Sequence, residues 1–174
     1  IYEKGAYVLR MLNFLLANPS TPDDDSAFRK MMGEFVERYR NSTASTEDFF
    51  AVASQHFARS PIAQKYGMGD LGWFYNQWVT RTEFPSYTLE YALEPQPDGK
   101  VKISGTVKQD NAGANWVMPL PVVFTFSGNQ VARTTVIARG PSNTFELVLP
   151  GKPTKVELDP DNWVLAEKTL TQAK

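Results

Sequence analysis

A change of hydrophobic period at Pro85 constrains this chain more than any other feature of its sequence. Before Pro85, apolar residues recur at three- and four-residue spacing; after it they alternate with polar ones between Pro, Gly and Asn clusters. Helices bury a stripe and strands bury alternate residues, so the two halves need different partners. The reading is α+β in two parts, a helical part over 1–85 and an antiparallel β-sandwich over 86–174. A length of 174 residues is enough for one domain or two small ones, each with a core.

The first sixteen residues, IYEKGAYVLRMLNFLL, begin with Tyr2, Glu3, Lys4 and Gly5 and then become apolar nearly all round. A helix of that kind is buried inside something larger than itself. Asn18-Pro19 ends it, because proline disfavours a helical residue before it. A second helix, over about Ser26 to Arg40, places Phe28, Met31, Met32, Phe35, Val36 and Tyr39 on one stripe. Ser45 with Glu47 and Asp48 reads as a helix start, and Phe49, Val52, Ala53 and Phe57 face inward on the helix that follows. Ser60-Pro61 ends that helix. Asp70 caps a fourth, carrying Leu71, Phe74, Tyr75 and Trp78, so the unit is a packed all-α bundle.

Beyond Pro85, Tyr87, Leu89, Tyr91 and Leu93 alternate along a half-buried strand, and Val101 to Val107 return after the turn PQPDG. On the third strand Met118, Leu120, Val122 and Phe124 share one face and Pro119 and Pro121 the other. Proline cannot donate to a ladder, so this strand belongs at an edge. Further strands follow over Val131 to Ala138, Phe145 to Leu149 and Val156/Leu158, with Trp163 to Leu165 as one more pairing. Six or seven short strands at this spacing make a sandwich of about 85 residues.

Composition narrows the function classes. A net charge of −1 offers no basic excess for a nucleic-acid surface. No apolar run is long enough to cross a bilayer. Cysteine is absent, which removes disulfides and thiolate zinc sites and suits a cytoplasmic or an exported compartment equally. The single histidine, His56, is too few for a hydrolytic zinc site, which needs two or three imidazoles or thiolates in their place.

The run Tyr2-Glu3-Lys4-Gly5-Ala6, followed by Val8-Leu9-Arg10-Met11-Leu12, resembles the segment after the zinc site in alanyl-aminopeptidase-like gluzincins. That zinc metallopeptidase family includes aminopeptidase N and leukotriene hydrolase. Ser45-Thr46-Glu47-Asp48-Phe49 is similar to its T-x-D-F helix start, and Trp73-Phe74 with Gln77-Trp78 to its W-F-x-x-W ending. Trp116 to Val122 resembles a W-x-x-P-L strand of the sandwich after the catalytic domain, and Asp159-Pro160 its closing element. The ordered series covers most of the chain.

The resemblance implies a helical tail of a thermolysin-like catalytic domain, then a β-sandwich acting as a spacer or wall. It implies a parent that removes N-terminal residues from peptides with a zinc cofactor. It assigns Tyr2 the role of hydrogen-bond donor to the tetrahedral intermediate. Without it, Tyr2 reads as a tyrosine that packs at a helix start. The H-E-x-x-H helix, the ligand glutamate and the G-x-M-E-N-type loop precede this segment in the family and are not in this chain. Zinc ligands and general base are therefore expected in a missing N-terminal zinc domain that packs on the helices. The first residue is not Met and falls inside the first motif, so a C-terminal fragment, inactive alone, is expected. An apolar face left bare on it would also drive artificial self-association.

Other candidates have plainer readings. Glu3 and Lys4 form a helix-start acid and an ion pair rather than an acid/base couple. His56 is a structural histidine on an apolar stripe, and Asp23-Asp24-Asp25 lacks the alternating ligands and glycine of a calcium loop. Trp73, Phe74, Tyr75 and Trp78 at helical spacing are core rather than a sugar platform. A second function class remains open at this point: a sandwich that binds protein or carbohydrate, marked by exposed aromatics such as Trp116 or Trp163.

Overall fold

The computed structural model describes residues 2–173; at positions 2, 168, 170, 172 and 173 only the backbone is described. The chain is α+β and divides into two compact units, Ile1–Thr82 and Glu83–Lys174.

The first unit is built on α1 (Tyr2–Leu16). Its second half is enclosed: Met11, Leu12, Phe14 and Leu15 are fully buried, and Leu16 and Ala17 nearly so. Its first half is not, since Gly5, Ala6, Tyr7, Leu9 and Arg10 all reach solvent. The expected burial along the whole helix is therefore corrected to burial of one half. α2 (Ser26–Arg38) and α3 (Thr46–Phe57) pack against α1 and each other. On α2 only Met31 is fully buried, while Val36 turns outward at 57% exposure.

Ser45 caps α3 as expected, in a reciprocal box. Its hydroxyl accepts from the Asp48 N–H at 3.1 Å, and the Asp48 carboxylate accepts from the Ser45 N–H at 2.9 Å. Ser60-Pro61 does more than end α3. The Ser60 hydroxyl accepts from the Ala63 N–H, and Pro61 opens a helix missing from the sequence reading, α4 (Pro61–Tyr66). Proline fits there because the first helical N–H has no partner within the helix. Gly67, at φ 63°, closes α4 in the left-handed region open to glycine.

The expected cap at Asp70 is corrected: Leu71 is the N-cap of α5 (Gly72–Phe74), without a side-chain bond, and Asp70 before it accepts from the Gly72 N–H at 2.7 Å. This helix runs directly into a π-helical turn, Tyr75–Val79. The Thr80 N–H reaches back five residues to the Tyr75 carbonyl at 3.3 Å, and the Thr80 hydroxyl donates to the Asn76 carbonyl at 2.7 Å.

The second unit contains, among the described residues, seven strands in two sheets. They are β1 (Ser86–Pro95), β2 (Val101–Asp110), β3 (Val117–Thr125), β4 (Val131–Arg139), β5 (Ser142–Leu149), β6 (Lys155–Leu158) and β7 (Lys168–Ala173). One sheet has the order β5-β2-β1-β7 and the other β4-β3-β6. Tyr87 and Leu89 on β1, Ile103 and Val107 on β2, and Met118, Leu120, Val122 and Phe124 on β3 form the buried faces. The sheets are antiparallel except at one strand. The last pairing is made by β7, parallel to β1 with Ser86 opposite Lys168, and not by Trp163 to Leu165.

The edge assignment of β3 is corrected too, because β3 lies between β4 and β6. β6 pairs only with residues 122–125 of β3. The Pro121 carbonyl points to the β6 side, where it accepts from the Asp159 N–H at 2.9 Å. In an antiparallel strand a residue's nitrogen and carbonyl share a side. Pro119 and Pro121 therefore aim their missing donors where β6 has already ended, and the ladder to β4 loses nothing.

Gly105 faces Phe145 across the β2–β5 ladder, and a Cβ at Gly105 would lie 2.4 Å from the Phe145 ring. The absent side chain is what lets that ring lie on the sheet. Gly105→Ala is expected to destabilise the protein by about 1–3 kcal/mol through overpacking. A thermal unfolding curve identical to that of the parent sequence would refute this account of Gly105.

Candidate functional site

A groove of about 530 Å³ lies wholly in the helical unit. The exposed half of α1 supplies Lys4, Gly5, Val8 and Leu9, and the start of α3 supplies Thr46, Phe49 and Phe50. Trp78 and Val79 of the π-helical turn form the third wall, continued by Thr80, Arg81 and Thr82. Leu9 and Val79 keep 41% and 38% of their surface in solvent at the mouth. The Lys4 ammonium donates to the Arg81 carbonyl and ties α1 to the segment after the π turn.

Behind the groove stands a set of touching rings. Phe35 meets Phe49 edge-on at 5.2 Å, Phe49 meets Phe50 at 5.5 Å, and Phe50 meets Tyr75 at 5.1 Å. Phe74 lies 6.1 Å from Phe50 and 6.5 Å from Trp78. Edge-to-face contacts of this kind fix ring orientation as well as bury area. Phe74 and Trp78 are fully buried as expected of core, whereas Trp73 and Tyr75 are half-buried, and Phe49, Phe50 and Trp78 form the groove wall.

The sequence-derived candidates fall in different places. Tyr2 opens α1, and its side chain lies outside the described residues. His56 is 10% exposed, and its Nε2 lies 2.8 Å from Glu34 Oε2, with Arg38 on the other oxygen of Glu34 at 2.5 Å. The His56 contact, more than any other, lowers the Glu34 carboxyl below its ordinary value. Asp24 accepts from the Ser26 N–H at the start of α2, and Asp25 pairs with Arg29 at 2.7 Å. Among the described residues no group of three or more His, Cys, Asp or Glu is placed to hold a metal ion. With His56 held by Glu34, the described side chains do not fit a zinc centre. In the second unit Trp116 is 1% and Trp163 6% exposed, so neither offers the aromatic platform that a carbohydrate-binding sandwich requires.

The groove itself went unread in the sequence. Leu9 was counted with a helix expected to be buried nearly all round, and a π turn has no sequence period of its own.

Asp48 holds the start of α3, the helix whose Thr46, Phe49 and Phe50 line the groove. Its carboxyl is lowered first by the Ser45 N–H, then by the Tyr39 hydroxyl, which donates at 3.0 Å, and by the Ser45 hydroxyl. A depressed carboxyl stabilises the fold fully above its ordinary value of 3.8 and loses that contribution as pH falls through the lowered value. Asp48→Asn should therefore melt at a lower temperature than the parent sequence near neutral pH, with the gap closing on acidification below that ordinary value. A gap that stays constant, or widens, as pH falls would contradict this assignment. Comparison with protein-family models and with curated proteins gives no match to this chain.

Proposed function

We propose that this chain is the C-terminal part of a zinc-dependent aminopeptidase that removes N-terminal residues from peptides. In this reading residues 1–85 are the helical tail of a thermolysin-like catalytic domain, and the sandwich is a wall or spacer. The observation that carries the reading is the ordered series of motifs, from Tyr2-Glu3-Lys4-Gly5-Ala6 through Trp73-Phe74 and Gln77-Trp78 to Asp159-Pro160. Two features support it. Ser45 and Asp48 build the start of α3, and the second tryptophan of the Trp-Phe pair motif, Trp78, is fully buried. The first half of α1 leaves Ala6 and Tyr7 in solvent on the side away from the groove, a surface for a missing N-terminal domain.

Tyr2 is the residue this reading places in the chemistry. A phenolic O–H directed at a tetrahedral oxyanion stabilises charge that develops only in the transition state. The zinc and the general base belong to the missing domain.

In the enzyme that contains this chain, Tyr2→Phe should lower kcat by about 10²–10³-fold with little change in KM or zinc content, the scale for loss of one oxyanion donor. An unchanged kcat sinks the assignment of Tyr2. The chain alone should bind no stoichiometric zinc and cleave no aminoacyl substrate. Chelator-sensitive cleavage by the pure chain would overturn the proposal.

A further inference from the structure

We propose that the sandwich binds one internal water between the Tyr87 hydroxyl and the Gln109 side-chain oxygen. The site lies within the second unit, so the proposal is independent of the aminopeptidase reading.

Three observations lead to it. The first is position. Tyr87 on β1 and Gln109 on β2 are direct partners in the antiparallel ladder. Opposite residues send their side chains to one face, with Cβ atoms about 4.5–5.5 Å apart. Both side chains are enclosed, at 1% and 5% exposure. Both also reach Trp116: the Gln109 amide donates to its carbonyl at 3.2 Å, and its indole N–H faces the phenol oxygen.

The second is the hydrogen-bond account. The Gln109 amide spends its two hydrogens on the Trp116 carbonyl and, at 3.0 Å, on the Gly140 carbonyl. Turning the amide over would set its oxygen against those two carbonyls, so its orientation is fixed and Oε1 is left as an acceptor. Among the described residues, neither that oxygen nor the Tyr87 hydroxyl has a hydrogen-bond partner of good geometry. The Trp116 indole is a donor only and cannot take the phenol's proton. Burial holds that proton on the phenol, whose ionisation is pushed far above its ordinary value.

The third is what an occupant must do. It has to accept from the Tyr87 O–H and donate to Gln109 Oε1. A halide can accept but cannot donate, and a metal cation can do neither. Water does both, and ordered water is what commonly satisfies buried polar groups that the chain itself leaves over.

A high-resolution crystal structure of the chain, with water-selective nuclear Overhauser spectra in solution, tests the proposal. Density should place a water within about 2.6–3.2 Å of both oxygens, and a long-lived water should give cross-peaks to the Tyr87 hydroxyl proton or the Gln109 amide protons. Tyr87→Phe should abolish the water signal and lower the folding equilibrium constant by about fivefold, the worth of one net hydrogen bond. A hydroxyl that is buried without a partner predicts the opposite sign, because phenylalanine then removes an unsatisfied group. A direct Tyr87–Gln109 bond, no density between the two oxygens, or a Tyr87→Phe variant as stable as the parent sequence or more so would each overturn the proposal. The crystal structure of the unaltered chain decides the question even where the variant does not fold.

Discussion

The helical unit depends on enclosing the second half of α1. Met11, Leu12, Phe14 and Leu15 point in several directions round one short helix, and each is fully buried. No single partner can cover such a helix; it has to be surrounded. α2, α3 and α4 all contact α1, and their short connections follow from that demand. Fully burying each side chain contributes about 1.5–3 kcal/mol relative to exposure. Four such side chains in one turn and a half therefore make this segment the part least tolerant of truncation. The first half of the helix carries no such obligation, and there the groove opens.

How much of this could be read in advance follows the strength of local signals. Period decided the two-part architecture, because alternation at Tyr87 and Leu89 and the helical spacing at Val52, Ala53 and Phe57 are each fixed by backbone geometry. The capping box at Ser45 and Asp48 was legible for the same reason, since its partners lie three residues apart. Features set by distant neighbours were not. Ser60-Pro61 looked like a stop, although the same pair both ends one helix and begins another. Pro119 and Pro121 suggested an edge, because nothing local reveals that β6 ends at Leu158. The groove needs Leu9 and Val79, which are seventy residues apart in sequence, and it needs a π turn that no spacing announces.

In the sandwich, buried polar groups hold the ends that the ladders leave open. Gln109 is 5% exposed, and its amide donates to the Trp116 carbonyl at 3.2 Å and the Gly140 carbonyl at 3.0 Å. The Gly140 N–H in turn donates to the Trp116 carbonyl at 3.1 Å, which joins the start of β3 to the β4–β5 turn. Gln109 sits opposite Tyr87 on β1, whose phenol is pushed far above its ordinary value, chiefly by burial. Removing the Gln109 amide would take a donor from both carbonyls, of which the Trp116 carbonyl keeps the Gly140 N–H; a buried group left without a partner costs about 1–3 kcal/mol. A glutamine inside a hydrophobic face is thus required by the turns beside it and not by the strand it occupies.

Asp159 makes the same point at the other end of the sheet. It is 4% exposed and holds φ 45°, a conformation that an aspartate adopts only with local support. Its two carboxylate oxygens accept from the Trp163 and Val164 N–H groups at 2.8 and 2.9 Å. Its own N–H donates to the Pro121 carbonyl. A buried carboxylate is tolerated when backbone donors satisfy it, and here those donors also draw the chain back after β6 toward β7. The Pro121 carbonyl that receives the Asp159 N–H belongs to the residue whose missing donor made β3 look like an edge. The proline and the aspartate are therefore one device: β6 ends where β3 has no N–H to offer, and Asp159 takes the remaining carbonyl and turns the chain.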